Sequence, residues 1–266
     1  MLASSLEAAE VSREDVAQRL DWHSTKLYRI ENARSGVTPA DMRHLLDMYG
    51  IAEDRQREAL VQLARNAREK GWWARYQDIL PDSYVELEAE ASAIRTFEPT
   101  LIPGLLQTEG YARALMRGSL VARDIERRVS ARMKRQSILT GDDGHPQLWG
   151  IIDEAALTRP VGGPAIMRDQ IDRLIEAQEQ ENITLQVVRS SVGAHPGMNG
   201  AFVLLDFPNP ELSAPLVYLE TAIGSLYLEK EEEIAHFTLT FDHLRAIALG
   251  PDESVRHLQS IKKSVE

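Results

Sequence analysis

The sequence has 266 residues, a formal net charge of −11 and 43% hydrophobic residues, as expected for a globular protein of one or two domains. It contains no cysteine, which excludes disulfides, thiolate catalysis and cysteine-based zinc sites and fits a reducing cytoplasm. No apolar run approaches the ~18 residues of a membrane helix, and residues 1–10 lack the basic and apolar regions of a signal peptide. We therefore expect a cytoplasmic protein without a membrane partner.

The acidic residues are unevenly distributed along the chain. Residues 1–70 contain 11 basic and 12 acidic residues, whereas residues 71–266 contain 19 and 29. Phosphate contacts dominate the affinity of proteins for nucleic acid, so an acidic chain is in bulk a poor match for DNA. The near-neutral first part can still bind phosphate if its basic groups share one face.

The first part of the chain is predicted to be entirely helical, because its apolar residues recur three and four positions apart. Thr38-Pro39 marks one helix start, with proline at the first position and Asp41 in the first turn. Gly50 is a plausible stop for that helix. The predicted helices cover residues 2–9, 12–20, 24–32, 38–49 and 54–69.

The pattern changes after Gly71-Trp72-Trp73, and from Gln147 the apolar period moves towards two, which is typical of strands. Helices are predicted at residues 83–97, 105–117, 122–139, 164–180, 230–248 and 252–264. Strands are predicted at residues 148–152, 183–188, 201–207, 216–220 and 225–228. The predicted fold class is α+β: an all-α domain at residues 1–70, then a mixed domain at residues 71–266 with a helical part (71–140) and a sheet-containing part (147–266).

Residues 12–31 have the pattern that a helix-turn-helix unit requires. The second helix of such a unit lies in the DNA major groove, so its inner face is apolar and its outer face polar. The predicted inward residues are Val16, Ala17, Leu20, Trp22, Leu27 and Ile30. The polar residues left outward near the start of the second helix are Ser24, Thr25, Lys26 and Tyr28.

This stretch resembles the Xre/Cro-type repressor family through Ser12, Val16, Ala17, Leu20, Trp22, Leu27, Arg29, Ile30 and Glu31. It departs from the family pattern at Asp21 and His23, where glycine and serine are usual. The resemblance implies that double-stranded DNA is a partner, with Ser24, Thr25, Lys26 and Tyr28 facing the bases. Positions suited to phosphates are Arg13, Arg29 and Arg34. The alternatives are a helical bundle with exposed charge and structural ion pairs at Arg29 and Glu31.

The rest of the chain resembles the C-terminal domain of a large actinobacterial regulator family described as antitoxin-like and of the Scr type. The resemblance implies a transcriptional regulator, often encoded beside a small partner protein, and it supplies no ligand. The residues that carry it are Gly71-Trp72-Trp73, residues 87–92 and 94–99, Pro103-Gly104-Leu105-Leu106-Gln107-Thr108-Glu109, Tyr111-Ala112, residues 153–157 and 193–197, and Tyr218-Leu219-Glu220.

Two groups of residues are candidates for contact with a ligand or a partner. Trp72, Trp73 and Tyr76 form an aromatic cluster at the junction of the domains, for which core packing is the alternative. Glu88 and Arg95 lie seven residues apart on one face of the predicted helix at residues 83–97. They are interpreted as a pocket wall or docking surface, with a solvated or paired face as the alternative.

Catalysis is not predicted. Asp153 and Glu154 follow a strand, and His195 lies in a glycine-containing loop that is expected to expose it. No nucleophile elbow, P-loop, HExxH or paired metal-ligand spacing accompanies them. We therefore expect turn residues at these positions, and neither enzyme activity, cofactor nor metal.

The resulting hypothesis is a DNA-binding transcriptional regulator whose C-terminal domain dimerises and senses a small-molecule effector or a small partner protein. A homodimer is expected because one short recognition helix reads few base pairs. The first alternative is an antitoxin-like protein that mainly binds a small partner. The second is that residues 1–50 form a pure interaction module without DNA binding.

Overall fold

The computed structural model describes residues 13–20, 22, 26–27, 30, 37–66, 72–76, 78–79, 83–119, 123–140, 145–209, 213–221 and 223–265. The chain divides into two compact units, Met1–Gly71 and Trp72–Glu266. The helix predicted at residues 2–9 lies outside the described residues.

In the described residues of the first unit, all regular structure is helical. It comprises α1 (Arg13–Arg19), α2 (Pro39–Met48) and α3 (Asp54–Asn66), and Lys26, Leu27 and Ile30 are also helical. The residues predicted to face inward do so: Val16, Ala17, Leu27 and Ile30 are buried with Leu45 and Tyr49, and Leu20 and Trp22 pack against them. The apolar spacing is therefore satisfied by a small helical core.

Helix α2 begins where its sequence predicts. The hydroxyl of Thr38 accepts a hydrogen bond of 3.0 Å from the Asp41 amide, and Pro39 occupies the first turn. The cap satisfies one of the free amide donors of a helix start, and the proline has no donor to satisfy. Gly50 follows the helix with φ of 66°, a left-handed conformation that glycine adopts without strain.

The second unit has seven helices and six strands in its described residues. The helices are α4 (Tyr84–Glu90), α5 (Glu109–Arg117), α6 (Ile125–Arg135), α7 (Glu154–Thr158), α8 (Pro164–Ala177), α9 (Glu231–Ile247) and α10 (Pro251–Ser264). The strands are β1 (Ala93–Glu98), β2 (Gln147–Asp153), β3 (Ile183–Val188), β4 (Phe202–Asp206), β5 (Leu216–Thr221) and β6 (Gly224–Leu228).

One mixed sheet with the order β3-β2-β1-β4-β5-β6 organises this unit. Strands β1, β2 and β3 are parallel, and the pairs β1–β4, β4–β5 and β5–β6 are antiparallel. The chain moves outward from β1 to β2 and β3 and then crosses to the other side of β1 to form β4. Strand β1 is therefore where the strand order reverses, and the α+β prediction is confirmed.

The single helix predicted at residues 83–97 is wrong. Helix α4 ends at Glu90, Ala91 is extended, and Ala93–Glu98 form β1. Strand β1 also lies inside the part at residues 71–140 that was predicted to be helical. The strand is stabilised by pairing with β2 on one side and β4 on the other, and these non-local hydrogen bonds override the local helical spacing.

The two faces of the sheet bury separate apolar clusters. Ile94 of β1 belongs to the larger cluster, to which α4, α5, α7, α8 and α10 contribute. Phe97 belongs to the smaller cluster, which includes Phe241 and Leu244 of α9. Alternate residues of β1 thus point to different cores. Among the described helices, none is both long enough and apolar enough to cross a membrane.

Candidate functional site

Lys26 is the one predicted base-facing residue whose side chain the structure describes. Ser24, Thr25, Tyr28, Arg29 and Arg34 lie outside the described residues, and Arg13 is described only as the first residue of α1. The assignment of these side chains to bases and phosphates therefore stays a prediction.

The ammonium group of Lys26 contacts two side chains within its own unit. Its Nζ lies 3.1 Å from Oδ2 of Asp41 on α2, and 3.6 Å from the centroid of the Trp22 ring. The side chain remains 44% exposed. Exposed ion pairs contribute about 1 kcal/mol or less, so phosphate or a guanine edge can replace Asp41 at small cost. No local sequence pattern indicates Asp41 as a competitor, because it lies 15 residues from Lys26.

Two further arginines of this unit are open to solvent. Arg19 on α1 and Arg43 on α2 are exposed, and neither forms an ion pair with a described residue. By contrast, Arg57 on α3 pairs with Asp47 and donates a 2.7 Å hydrogen bond to the Ile51 carbonyl. Arg57 therefore joins α2 to α3, whereas Arg19 and Arg43 remain available to an anionic partner. Their positions in the predicted helices do not distinguish Arg19 and Arg43 from the other arginines of the sequence.

The aromatic candidates Trp72, Trp73 and Tyr76 lie in a short 3-10 helix, Trp72–Tyr76. Trp73 is partly buried against the larger core. The Tyr76 hydroxyl lies 3.2 Å from Oγ of Ser130 on α6, and the Arg127 guanidinium lies over its ring, 5.8 Å from the centroid. These contacts attach the segment to α6, as a packing role requires.

Arg127 reinforces the same attachment. Its guanidinium donates to both carboxylate oxygens of Asp78 and, over 2.7 Å, to the Arg75 carbonyl. The hydrogen bond from Arg127 holds the pKa of Asp78 below its usual value. The pair is exposed, so it positions the segment more than it stabilises the fold.

The candidates Glu88 and Arg95 are not on one helix face, and this expectation is wrong. Glu88 on α4 is 1% exposed, receives two hydrogen bonds from Arg135 and one of 2.8 Å from the Tyr84 hydroxyl. Arg95 is on β1, where its Nη2 lies 3.1 Å from Oδ2 of Asp206. The structure brings each residue to a different partner because the chain changes from helix to strand between them.

His195 is more enclosed than its loop suggested. Its side chain is 6% exposed, and its Nε2 lies 3.2 Å from Oδ2 of Asp153 at the end of β2. The rings of Phe97 and His195 form a T-shaped contact with a centroid distance of 5.8 Å. Its Nδ1 is buried without a hydrogen-bond partner among the described residues. Asp153 also accepts from the Ala155 amide over 2.8 Å, so it caps α7.

Glu154 connects three elements at the same sheet edge. Its Oε1 lies 2.6 Å from Nε2 of His257 on α10, and its Oε2 accepts a 2.8 Å hydrogen bond from the Ser190 amide after β3. Burial alone would raise the pKa of Glu154, but the hydrogen bonds from Ser190 and His257 lower it below its usual value. The ionised carboxylate is the form that holds these elements together.

A second polar group lies at the carboxyl end of β1, formed by Glu98, Gln107 after β1, Arg132 on α6 and Glu220 on β5, which we call the switch-point cluster. Burial, and then the charge of Glu220, raise the pKa of Glu98 to about 7, against the opposing charges of Arg132 and Arg135. Burial lowers the pKa of Arg132. In the sequence, Gln107 and Glu220 stand out only as family matches, and no local pattern indicates the cluster because its members are far apart in the chain.

Comparison with known protein families gives one match in each of the two parts of the chain. Residues 81–260 match the model of a domain of unknown function, DUF5753. The chain belongs to the DUF5753 family. Residues 3–60 match a helix-turn-helix domain model, which supports a DNA-binding regulator with its reading unit before the DUF5753 domain.

No curated protein and no solved structure matches the chain. The β1 strand, the Glu88–Arg135 pair, the Asp153–His195 pair and the switch-point cluster all lie within the matched DUF5753 residues. These features therefore belong to the DUF5753 domain.

Proposed function

We propose that this DUF5753 protein is a sequence-specific transcriptional regulator of the Xre/Cro type that binds DNA as a homodimer. The observation that carries the proposal is the helix-turn-helix match at residues 3–60, with the buried core of Val16, Ala17, Leu27 and Ile30. That core leaves Lys26 exposed at the start of the reading helix, which is where such helices contact base edges.

The DUF5753 domain would supply dimerisation and receive the regulatory signal, either a small molecule or a small partner protein. Dimerisation follows from the short reading helix, since such units act on paired half-sites. The signal would act through its different affinities for the DNA-bound and free states.

We infer a binding role, not a catalytic one, for this domain. The Asp153–His195 pair is the arrangement most like a catalytic one, but no described hydroxyl or thiol donates to Nδ1 of His195. Among the described residues, no group of three or more His, Asp or Glu side chains could hold a metal ion.

The test is the salt dependence of DNA binding by the full chain. A duplex enriched from random-sequence DNA is titrated by fluorescence anisotropy at several salt concentrations. Replacing one phosphate-contacting arginine, as in Arg13→Gln, should reduce the slope of log K against log salt by ~1.

Arg65→Gln is the matched control, because Arg65 lies at the end of α3 and pairs with Glu58. It should leave the slope unchanged. Failure of the full chain to enrich or bind any duplex at low salt would overturn the proposed function, and an unchanged slope for Arg13→Gln would remove Arg13 from the contact set.

A further inference from the structure

The switch-point cluster occupies the position in the sheet where ligands bind in many α/β folds. Such ligands bind outside the carboxyl ends of parallel strands, at the strand where the order reverses. Here that strand is β1, which ends at Glu98. Parallel strands lie on one side of β1 only, because β4 on the other side is antiparallel, so the cluster shares the carboxyl-end position of such sites but not their fully parallel surroundings.

The register of the sheet places two carboxylates at the same end of the sheet, the end where β1 finishes. Thr96 of β1 is opposite Val203 of β4, and Val203 is opposite Tyr218 of β5. Strands β1 and β5 run in the same direction, so Glu98 and Glu220, each two residues further on, lie at the same level. Residues two apart in a strand share a face, so both carboxylates are on the face of Thr96 and Tyr218.

Among the described residues, the side chains of the cluster are only partly bonded. The Glu98 side chain is partly buried, and its carboxylate forms no hydrogen bond or ion pair with a described residue. Arg132 donates one hydrogen bond among the described residues, from Nη1 to Oε1 of Gln107 over 2.7 Å. Gln107 is itself held by its 2.7 Å hydrogen bond to the Ile102 carbonyl.

The neighbouring charged residues Glu88 and Arg135, by contrast, are paired with each other. Glu88 and Arg135 form two hydrogen bonds with each other and so satisfy their charges. Arg132 and Glu98 influence each other's pKa but form no hydrogen bond or ion pair with each other. Partly buried charges are costly when they lack partners, and perturbed groups in such positions are often binding sites.

We propose that the switch-point cluster binds an L-α-amino acid, with its ammonium group between Glu98 and Glu220 and its carboxylate on Arg132. The two carboxylates together attract a cation, and a guanidinium is the preferred partner of a carboxylate. An amino acid carries both groups on one carbon, and it neutralises Arg132 and one of the two glutamates. The inference rests on the proposed function, in which this ligand is the effector.

The probes are single L-α-amino acids, tested one at a time with the full chain by thermal unfolding and by isothermal titration calorimetry. Each responding amino acid is compared with its decarboxylated amine and with its deaminated acid, which carry one charged group each. The expected result is a rise in the unfolding temperature for at least one amino acid, with affinity for both half-probes lower by about tenfold or more.

The variants are Glu98→Gln, Arg132→Gln and Glu220→Gln, and each should weaken amino acid binding by about tenfold or more. Glu220 is exposed, so its variant is expected to fold even if a more buried one does not. The matched control is Glu126→Gln, because Glu126 is on α6 with Arg132 but pairs with Arg113 on the exposed surface. The control should bind like the wild type.

The inference is overturned if no amino acid binds the wild-type chain, if an amine alone binds as well as its amino acid, or if the Glu220→Gln and Arg132→Gln chains bind normally. DNA binding measured in parallel separates the two proposals. A chain that binds DNA but no amino acid contradicts this inference alone, whereas a chain that binds an amino acid but no DNA contradicts the proposed function alone.

Discussion

The contact between Lys26 and Asp41 reduces the positive charge that Lys26 presents to an anionic partner. Lys26 is the described base-facing candidate, and its ammonium lies between the Asp41 carboxylate and the Trp22 ring. An acidic side chain near phosphates weakens DNA binding through repulsion, and it also competes for the lysine. Asp41 is therefore expected to moderate DNA affinity.

Asp41→Asn should raise DNA affinity several-fold at low salt, because it removes a negative charge and frees Lys26. Asp47→Asn is the control, since Asp47 is at the other end of α2 and pairs with Arg57. Anisotropy titrations of both chains at two salt concentrations check the prediction. Equal affinities for Asp41→Asn and wild type would show that Asp41 lies away from the DNA.

Glu98 should make the stability of the protein depend on pH. Its pKa is raised from 4.5 to about 7, chiefly by burial, so the folded state binds a proton more tightly than the unfolded state. The wild type should lose stability as pH rises from 4.5 towards 7.

Glu98→Gln removes this titration. It should be more stable than the wild type by roughly 2–3 kcal/mol at about pH 8, with the difference disappearing near the unfolded pKa. Urea unfolding of both chains, at about pH 8 and near the unfolded pKa, measures this difference in stability. A difference between the two chains that is the same at every pH would contradict the raised pKa.

Among the described secondary-structure elements, β1 and α10 both contact partners that are distant in the chain. Strand β1 pairs with strands on both sides, although its residues extend the helical spacing of α4. Helix α10 is linked to the sheet by His257 and Glu154. The Ser190 amide donates to the same carboxylate. The Glu154 side chain therefore holds helix α10 against the ends of β2 and β3.

Glu154→Gln should destabilise the protein by about 1–3 kcal/mol at neutral pH, because it removes a charged acceptor shared by His257 and Ser190. The pKa of Glu154 is lowered on folding, so its contribution exists above the unfolded value of about 4.5 and disappears as pH falls through the folded value. The difference from wild type should therefore shrink in acid.

Urea unfolding across the acidic range provides the measurement. Glu176→Gln, an exposed position on α8, is the control and should match the wild type throughout. If Glu154→Gln had wild-type stability at neutral pH, the carboxylate would not be the link between these elements.

At the level of the whole chain, the distribution of charge follows the division into two domains. The near-neutral residues 1–70 carry the helix-turn-helix unit, and the strongly acidic residues 71–266 carry the DUF5753 domain. Acidic surfaces repel DNA phosphates, so the second domain is not expected to touch DNA; in the proposed function it pairs two reading units.

The full chain should accordingly sediment as a dimer, at twice the chain mass of 29.9 kDa. Its DNA footprint should contain two half-sites separated by about one helical turn, ~10 base pairs, or a multiple of this. Sedimentation velocity and footprinting test both statements. Inserting about half a turn between the half-sites should abolish tight binding, whereas retention of affinity would indicate independent monomers.

The sequence by itself determined the features that depend on local physics. Apolar spacing predicted the inward residues of the helix-turn-helix unit and strands β2 to β6, and the Thr38-Pro39 cap predicted the start of α2. These features follow from side-chain periodicity and from backbone donors satisfied within a few residues.

Tertiary structure alone decided what depends on distant partners. Strand pairing converted residues 93–98 from predicted helix to β1, separating Arg95 from Glu88. Packing enclosed His195, placed Asp41 against Lys26 and gathered the switch-point cluster around Glu98. Burial and electrostatic pairing vary with distance in space, which sequence separation does not report.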